Sequence, residues 1–480
     1  MPSIVPPPSP QPTILIAGAG IGGLTTALHL HAAGYTSVHV FEASSTLSAL
    51  GVGINVQPSA ALILRNLGLA AALDATAVRT RELNFYNRHG DAILSEPRGL
   101  AAGYAVPQYS VHRGEFQQLL LDAVRERLGA DRVHLNHTLQ SFAQPGGGDD
   151  DDDDDDDDEQ HGAAAAAAAA AGVTACFVQR ADGARAAVPE MRGDVLIACD
   201  GINSAARRLL YPHEGPAHFS GRMLWRGCLE LDAPYLTGAS MVWAGHADQK
   251  FIAYPIGGRG KSLVNWIAEL RVRRADDPDT TPPARTDWNA SVPKERFARP
   301  FEGWRCGGLE MSELIERSEK VYEFPMCDRT PVERWSFGRV TLLGDAAHAM
   351  YPIGSNGATQ AIIDAETLVA CLVERGRGDK DWTKALKEYE EKRLPPTRKI
   401  VYANRANGPD HVLQLAEERA PEGFKDIYDV IPKEELEGIG KQYKQVAGFE
   451  MENVNKKAKE TEGLAERLGL KSPKGWVAEE

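Results

Sequence analysis

The stretch Thr13–Glu42, TILIAGAGIGGLTTALHLHAAGYTSVHVFE, decides the fold. It predicts strand, glycine turn, helix and strand within the roughly 30 residues that a βαβ unit needs. Ile14, Leu15 and Ile16 form a short apolar strand. Gly18, Gly20 and Gly23 follow in G-x-G-x-x-G spacing, and Leu24 to Ala33 reads as a helix that Gly34 ends. Val38 to Phe41 make the second strand, closed by Glu42. Gly18 permits a tight turn, Gly20 lets backbone approach a pyrophosphate, and Gly23 lets the helix pack close to the strand. The unpaired N–H groups and partial positive charge of the helix N-terminus suit a diphosphate. Glu42 accepts hydrogen bonds from ribose hydroxyls and repels a 2′-phosphate. A bare G-x-G-x-x-G also describes a structural turn. The strand before it, the helix after it and the terminal acid point to a dinucleotide site. The motif alone leaves NAD and FAD both open.

The chain has 480 residues, room for one large domain or two to three smaller ones. Its net charge is −14, but the run Asp149 to Asp158 carries much of it, and the remainder is only mildly acidic. No basic patch of the kind nucleic-acid binding needs is visible. The cysteines at 176, 199, 228, 306, 327 and 371 form no C-x-x-C pair and no metal-ligand spacing. They read as buried thiols of a reducing compartment, so a cytoplasmic location is expected. Residues 1–12, MPSIVPPPSPQP, lack a basic and then apolar leader and read as a disordered proline-rich segment. No apolar run reaches the about 18 residues of a membrane span.

Further along, Gly51 and Gly53 flank Val52 in a second flexible turn, either a simple loop or a place where backbone nears a flat ligand. A helix is expected from about Ser59 to Leu67, and a hairpin from Glu82–Tyr86 and Ala92–Ser95. Arg113 precedes an amphipathic helix running to Leu128, where a cation either meets a phosphate or flavin edge or lies on the surface. Val133 to Phe142 and Val173 to Val178 read as strands of one hairpin whose loop swelled by insertion (residues 145–172). Its like charges repel and predict disorder. Val195–Ile197 form a buried strand with Asp200-Gly201 at its end. That is nucleotide-site geometry in an open sheet, and equally the pattern of an N-cap acid.

From Met223 to Val272 the pattern changes to four short strands carrying Trp225, Trp243, Tyr254 and Trp266. This predicts an antiparallel sheet whose aromatics either wall a pocket for a flat substrate or fill a core. A third motif follows. Val340–Leu343 is a strand, Gly344-Asp345 ends it, a Pro/Gly loop spans Tyr351–Gly357, and a helix begins near Ala358. Asp345 suits a ribityl or ribose hydroxyl. The helix start at Gly357-Ala358 places positive dipole where a reduced flavin carries negative charge. His348 reads as a structural histidine more readily than as a base. Tyr351 and Arg226 are candidates for substrate contact.

Together the three motifs resemble the single-component FAD-dependent aromatic monooxygenases, the group of the para-hydroxybenzoate and salicylate hydroxylases, over about residues 13–405. GDAAHAMYPIGSNGATQAIIDA, with EFPMCDR before it, is most similar to the phenazine-modifying subgroup. The resemblance implies that Gly18, Gly20, Gly23 and Glu42 hold the ADP half of FAD. It implies that Asp200 and Gly201 serve FAD and NAD(P)H, that Asp345 meets the ribityl chain, and that Arg113 touches FAD. It places the isoalloxazine beside Gly53, Pro352, Gly357 and Ala358. The implied fold is α/β, a Rossmann-like FAD-binding domain with a mostly parallel sheet and an inserted antiparallel-sheet substrate domain. The expected organisation is a leader (1–12), FAD-binding segments (13–105, 106–215 and 326–405), a substrate sheet (216–325) and a charged helical tail (406–480).

The implied activity is hydroxylation of a small aromatic, using NADPH or NADH and O₂ through a flavin C4a-hydroperoxide; the low-complexity Asp and Ala runs point to a role in secondary metabolism. The candidate catalytic set is Pro352, Tyr351 and Arg226, with no metal. Expected partners are a small aromatic substrate and a second copy at most (monomer or homodimer), without nucleic acid or a membrane span. Rival readings are an epoxidase or Baeyer–Villiger enzyme on the same fold, a flavin oxidase or dehydrogenase, and a non-catalytic FAD-binding protein. A plain NAD dehydrogenase leaves the Gly344-Asp345 loop unexplained.

Overall fold

Ile14, Leu15 and Ile16 are completely buried, and so are Val195, Leu196 and Ile197. Strands with no polar face need cover on both sides, which a parallel sheet between helices supplies. In the computed structural model these strands are neighbours. Ile14 stands level with Val195 on one side and with Val38 on the other. The structure describes residues 11–47, 52–144, 172–181, 184–258, 260–274, 276–284, 291–376 and 381–477. The proline-rich leader through residue 10, Gly51 and the Asp/Ala insertion lie outside these residues.

The first sheet runs Ser336–Phe337, Val340–Leu342, Val195–Ala198, Thr13–Ala17, Ser37–Phe41 and Val133–His134. All its pairings are parallel except the short Ser336–Phe337 edge. Its three central strands therefore finish at one edge. They deliver Gly18, Asp200-Gly201 and Gly344-Asp345 side by side from distant parts of the chain. The helices Ile21–Ala32 and Gly357–Gly376 pack against each other over this sheet, with the Cβ position of Gly22 3.3 Å from Ala361.

The second sheet has seven strands, in the order Val321–Asp328, His218–Glu230, Leu263–Arg271, Gln249–Pro255, Ser240–His246, Glu82–Tyr86 and Ala92–Pro97. The four antiparallel strands expected after Met223 are all present. The hairpin Glu82–Pro97, expected within the FAD-binding segment 13–105, instead extends this sheet. Ser240 to Ala244 pair in parallel with Glu82 to Tyr86, because the hairpin's buried Leu83 and Phe85 need the apolar cover of Met241 and Trp243.

Side chains alternate across a strand, so register sorts this sheet's residues between two faces. Trp225 and Trp266 face one way, into a cluster with Phe251, Phe297 and Phe301. Trp225 stacks on Phe297 at 4.8 Å and donates its indole N–H to Glu323, while Trp266 donates to Ser318. Leu224, Arg226, Lys250, Ile252, Tyr254, Ile267 and Glu269 face the other way, toward the first sheet. The segment after Arg405 is helical and buries one face. Leu436 and Tyr443 of the helix Lys433–Val446 are buried, as are Val454 and Ala458 of Met451–Glu460.

Candidate active site

One cavity of about 330 Å³ lies between the two sheets. Its lower wall is the carboxyl edge of the parallel sheet. Gly18 sits there at φ +104° with its N–H on the Phe41 carbonyl, and a Cβ at Gly18 would collide with the Cys199 carbonyl. A Cβ at Gly23 would collide with the Gly18 carbonyl. These two glycines serve close packing. Gly20 differs, because nothing lies within 4 Å of its Cβ position and it lines the cavity at the helix start. That is an open cradle beside unpaired helix N–H groups, and it fits a pyrophosphate.

Glu42 turns back on the glycine turn. Its carboxylate accepts the Ala19 N–H and the Ser44 N–H, both at 2.9 Å. Asp200 divides its roles. One oxygen accepts the N–H groups of Ala205 and Ala206, at 2.7 and 3.1 Å, and so caps the helix Ala205–Leu210. The other oxygen is buried without a partner among the described residues. Burial is also the main reason this acid stands above its ordinary pKa. Gly201, at φ +77°, lines the cavity with open space around it.

The same cavity is lined by Gly53, Arg113, Asp345, Pro352, Gly357 and Ala358. Asp345 is exposed at the start of a short helix. Gly357 and Ala358 begin a 20-residue helix, so their free N–H groups and dipole face the cavity. Gly53 donates its N–H to Asn265 Oδ1 at 2.6 Å, and its Cβ position is 2.6 Å from the Tyr254 ring. That contact brings the strand Gly53–Val56, part of a separate three-stranded sheet with Gln108–His112 and Val78–Thr80, hard against the seven-stranded sheet and leaves no room for a side chain. The upper wall adds Trp243, Tyr254 and half-buried Arg226. Arg226 Nε is enclosed and unpartnered among the described residues.

The family model described as FAD binding domain matches residues 11–404. The chain belongs to the FAD-dependent aromatic monooxygenases. It is 40% identical over 402 residues to a phenazine 1,6-dicarboxylic acid hydroxylase of Lysobacter antibioticus, covering 82% of this chain and 89% of the relative. It is 32% identical over 409 residues to a 3-amino-4-hydroxybenzoate 2-monooxygenase of Streptomyces platensis, covering 84% and 89%. A salicylate hydroxylase substrate complex matches its fold with TM-score 0.64 at 20% identity, covering 93% of this chain and 98% of that one.

Not every expected residue of this monooxygenase reaches the cavity. Tyr351 follows the Gly344-Asp345 turn closely in sequence, but its side chain is buried and hydrogen-bonded to His218 Nδ1 at 2.7 Å. It does not line the cavity, which corrects its expected role as a substrate contact. His348 is buried beneath the turn and does not line the cavity. Its Nε2 donates to Asp364 at 2.6 Å, and Asp364 also accepts from Arg393 at 2.6 Å. Burial alone would raise the Asp364 pKa, but the charges of His348 and Arg393 outweigh it and hold this acid at about 2.

Sequence reasoning missed the polar end of the cavity. Lys250 and Glu269 stand opposite in adjacent strands and pair at 3.1 Å, with Asp410 also on the Lys250 ammonium. Burial pulls this lysine down, and the two carboxylates outweigh it and hold it above its usual value. A signal existed in KFIAYP and WIAEL, each with a charge at a cavity-facing position of an otherwise apolar strand. Reading it required the register. Among the described residues no cluster of His, Cys, Asp and Glu could hold a metal, and no helix is long and apolar enough to cross a membrane.

Proposed function

We propose that this monooxygenase hydroxylates a planar aromatic or N-heteroaromatic acid, laid between the Pro352–Ala358 loop and the antiparallel sheet. The observation that supports this reading is Arg226, a cation with an unpartnered Nε in a cavity walled by Trp243, Tyr254, Ile252 and Ile267. A guanidinium so placed favours an anionic substituent, and the flat apolar wall favours a ring. The relatives named above act on a phenazine dicarboxylic acid and an aminohydroxybenzoate, ring acids of this kind.

In this proposal Gly20 and the helix at Ile21 receive the pyrophosphate, Glu42 the adenosine ribose, and Asp200 and Asp345 the hydroxyls farther along. Gly53, Pro352, Gly357 and Ala358 border the flavin ring, and Arg113 faces the cofactor without a carboxylate partner among the described residues. Bound FAD supplies hydride acceptance from NAD(P)H and activation of O₂ for transfer of one oxygen atom to the ring. The chain itself orients the substrate through Arg226, keeps water from the ring with its apolar sheet face, and favours negative charge at the helix N-terminus of Gly357.

The test is a screen of phenols and aromatic acids against the FAD-loaded protein, reading NADH and NADPH oxidation and ¹⁸O from ¹⁸O₂ in the product. Ring-acid-stimulated oxidation with one labelled hydroxyl is expected. Oxygen inserted into a ring bond or across a double bond would replace hydroxylation with a rival oxygen transfer. Oxidation without label would make the protein an oxidase.

A further inference from the structure

The matched family domain ends at residue 404, yet the chain beyond it reaches back to the loop that borders the cavity. We infer that Tyr443, in the helix Lys433–Val446, is a positioning residue for the flavin loop Tyr351–Ala358. This rests on the reading of that loop as the flavin's border.

The Tyr443 hydroxyl is the meeting point of three segments. It accepts a hydrogen bond from Asn356 Nδ2 and donates to Asn404 Oδ1 at 2.8 Å, with the Ile353 carbonyl a weaker alternative at 3.3 Å. Asn404 in turn donates to the Tyr351 carbonyl at 3.0 Å. Both ends of the loop are therefore tied through one phenol. The loop leaves a place for it. Gly354 is at φ +71°, and a Cβ there would overlap the Tyr443 hydroxyl. The next residue, Ser355, holds φ +55° without being glycine, a conformation that persists only where surrounding contacts impose it.

Asn356 is the residue before the helix Gly357–Gly376, and its carbonyl accepts the Gln360 N–H. Moving Asn356 moves the helix start whose N–H groups face the cavity. The same helix start is held from behind by Gln360 Nε2, which donates to the Ala447 carbonyl at 3.2 Å. Tyr443 itself does not line the cavity that Asn356, Ser355 and Gly357 share. It acts through them.

The test uses the full chain loaded with FAD. Tyr443→Phe keeps the ring and removes the hydroxyl, stranding Asn356 and Asn404. FAD affinity is expected to fall about tenfold, with a shifted flavin midpoint potential. Asn356→Ala should reproduce this, and the double variant should be no worse than Asn356→Ala alone, because the two act as one unit. A merely structural role would lower the melting temperature but leave FAD affinity and the midpoint potential at their wild-type values in both single variants, and that result overturns the inference. A second measurement needs no variant. Amide exchange in Lys433–Val446 of the wild-type protein should slow when FAD binds, and unchanged exchange overturns the inference. A wild-type protein that takes up no FAD refutes the flavin reading itself. FAD uptake with wild-type affinity and potential in Tyr443→Phe refutes only the role of Tyr443.

Discussion

Two glycines of one motif share a residue type but differ in what surrounds them, and that makes them separable by experiment. Gly23 has the Gly18 carbonyl where a Cβ would go, whereas Gly20 has open cavity. Gly23→Ala is expected to destabilise the fold by about 1–3 kcal/mol, as overpacking does, measured by denaturant unfolding. Gly20→Ala, at φ −71°, is expected to fold with wild-type stability and to bind FAD at least about tenfold more weakly, because the methyl stands where a phosphate would approach. Equal losses of stability in both variants would contradict the assignment. Arg226 invites a third substitution. Arg226→Met should raise KM for a ring acid about tenfold or more while the FAD content stays constant, if the proposed charged hydrogen bond to substrate is what it removes.

At the scale of elements, the parallel strands and their terminal turns were legible because they are written locally: an apolar run, then Gly or Asp-Gly, then a helix. The antiparallel strands were legible as well. Their faces were not. Trp225 and Trp243 look alike in sequence, and only the register sends the first into the core and the second into the cavity. Tyr351 was misread for a similar reason, because adjacency to Pro352 in the chain says nothing about which side of a loop a side chain leaves. The tie between the turn at Gly344 and the helices Gly357–Gly376 and Trp382–Arg405 is Asp364, which accepts from Gly344 N–H, His348 and Arg393. Its folded pKa of about 2 lies below the about 3.9 of a free carboxyl, so the unfolded chain binds the proton more readily. The tie therefore contributes fully above about pH 4 and is lost as pH falls toward 2, on the order of 2 kcal/mol. Unfolding free energies of wild type and Asp364→Asn should accordingly converge as pH drops through that window. A gap that stays constant down to pH 2 would show that the ionised carboxylate is not the source.

For the whole molecule, the cavity exists only where the two sheets meet, and the Gly53–Asn265 hydrogen bond and the Gly53–Tyr254 contact fix the strand Gly53–Val56, of a separate three-stranded sheet, against its upper wall. The strands flanking the Asp/Ala insertion pair directly, with Thr174 opposite Ala143. Replacing residues 146–171 by a short turn is expected to leave FAD affinity unchanged and the melting temperature within a few degrees, because loop closure depends only weakly on loop length. Lost FAD binding in that variant would give the insertion a role at the site.

The first sheet's order has a consequence for synthesis. Its central strands begin at residues 13, 195 and 340, and the helix start facing the cavity comes at 357. A nascent chain emerging N-terminus first presents the glycine turn long before the strands that complete the cofactor's bed. FAD is therefore expected to find its complete bed late, so pulsed FAD should bind chains truncated before Val340 far more weakly than the full chain. Tight binding is expected only after about three-quarters of the chain has been made, and until Val340–Leu342 emerges the apolar strand Val195–Ile197 has only Ile14–Ile16 as a sheet neighbour.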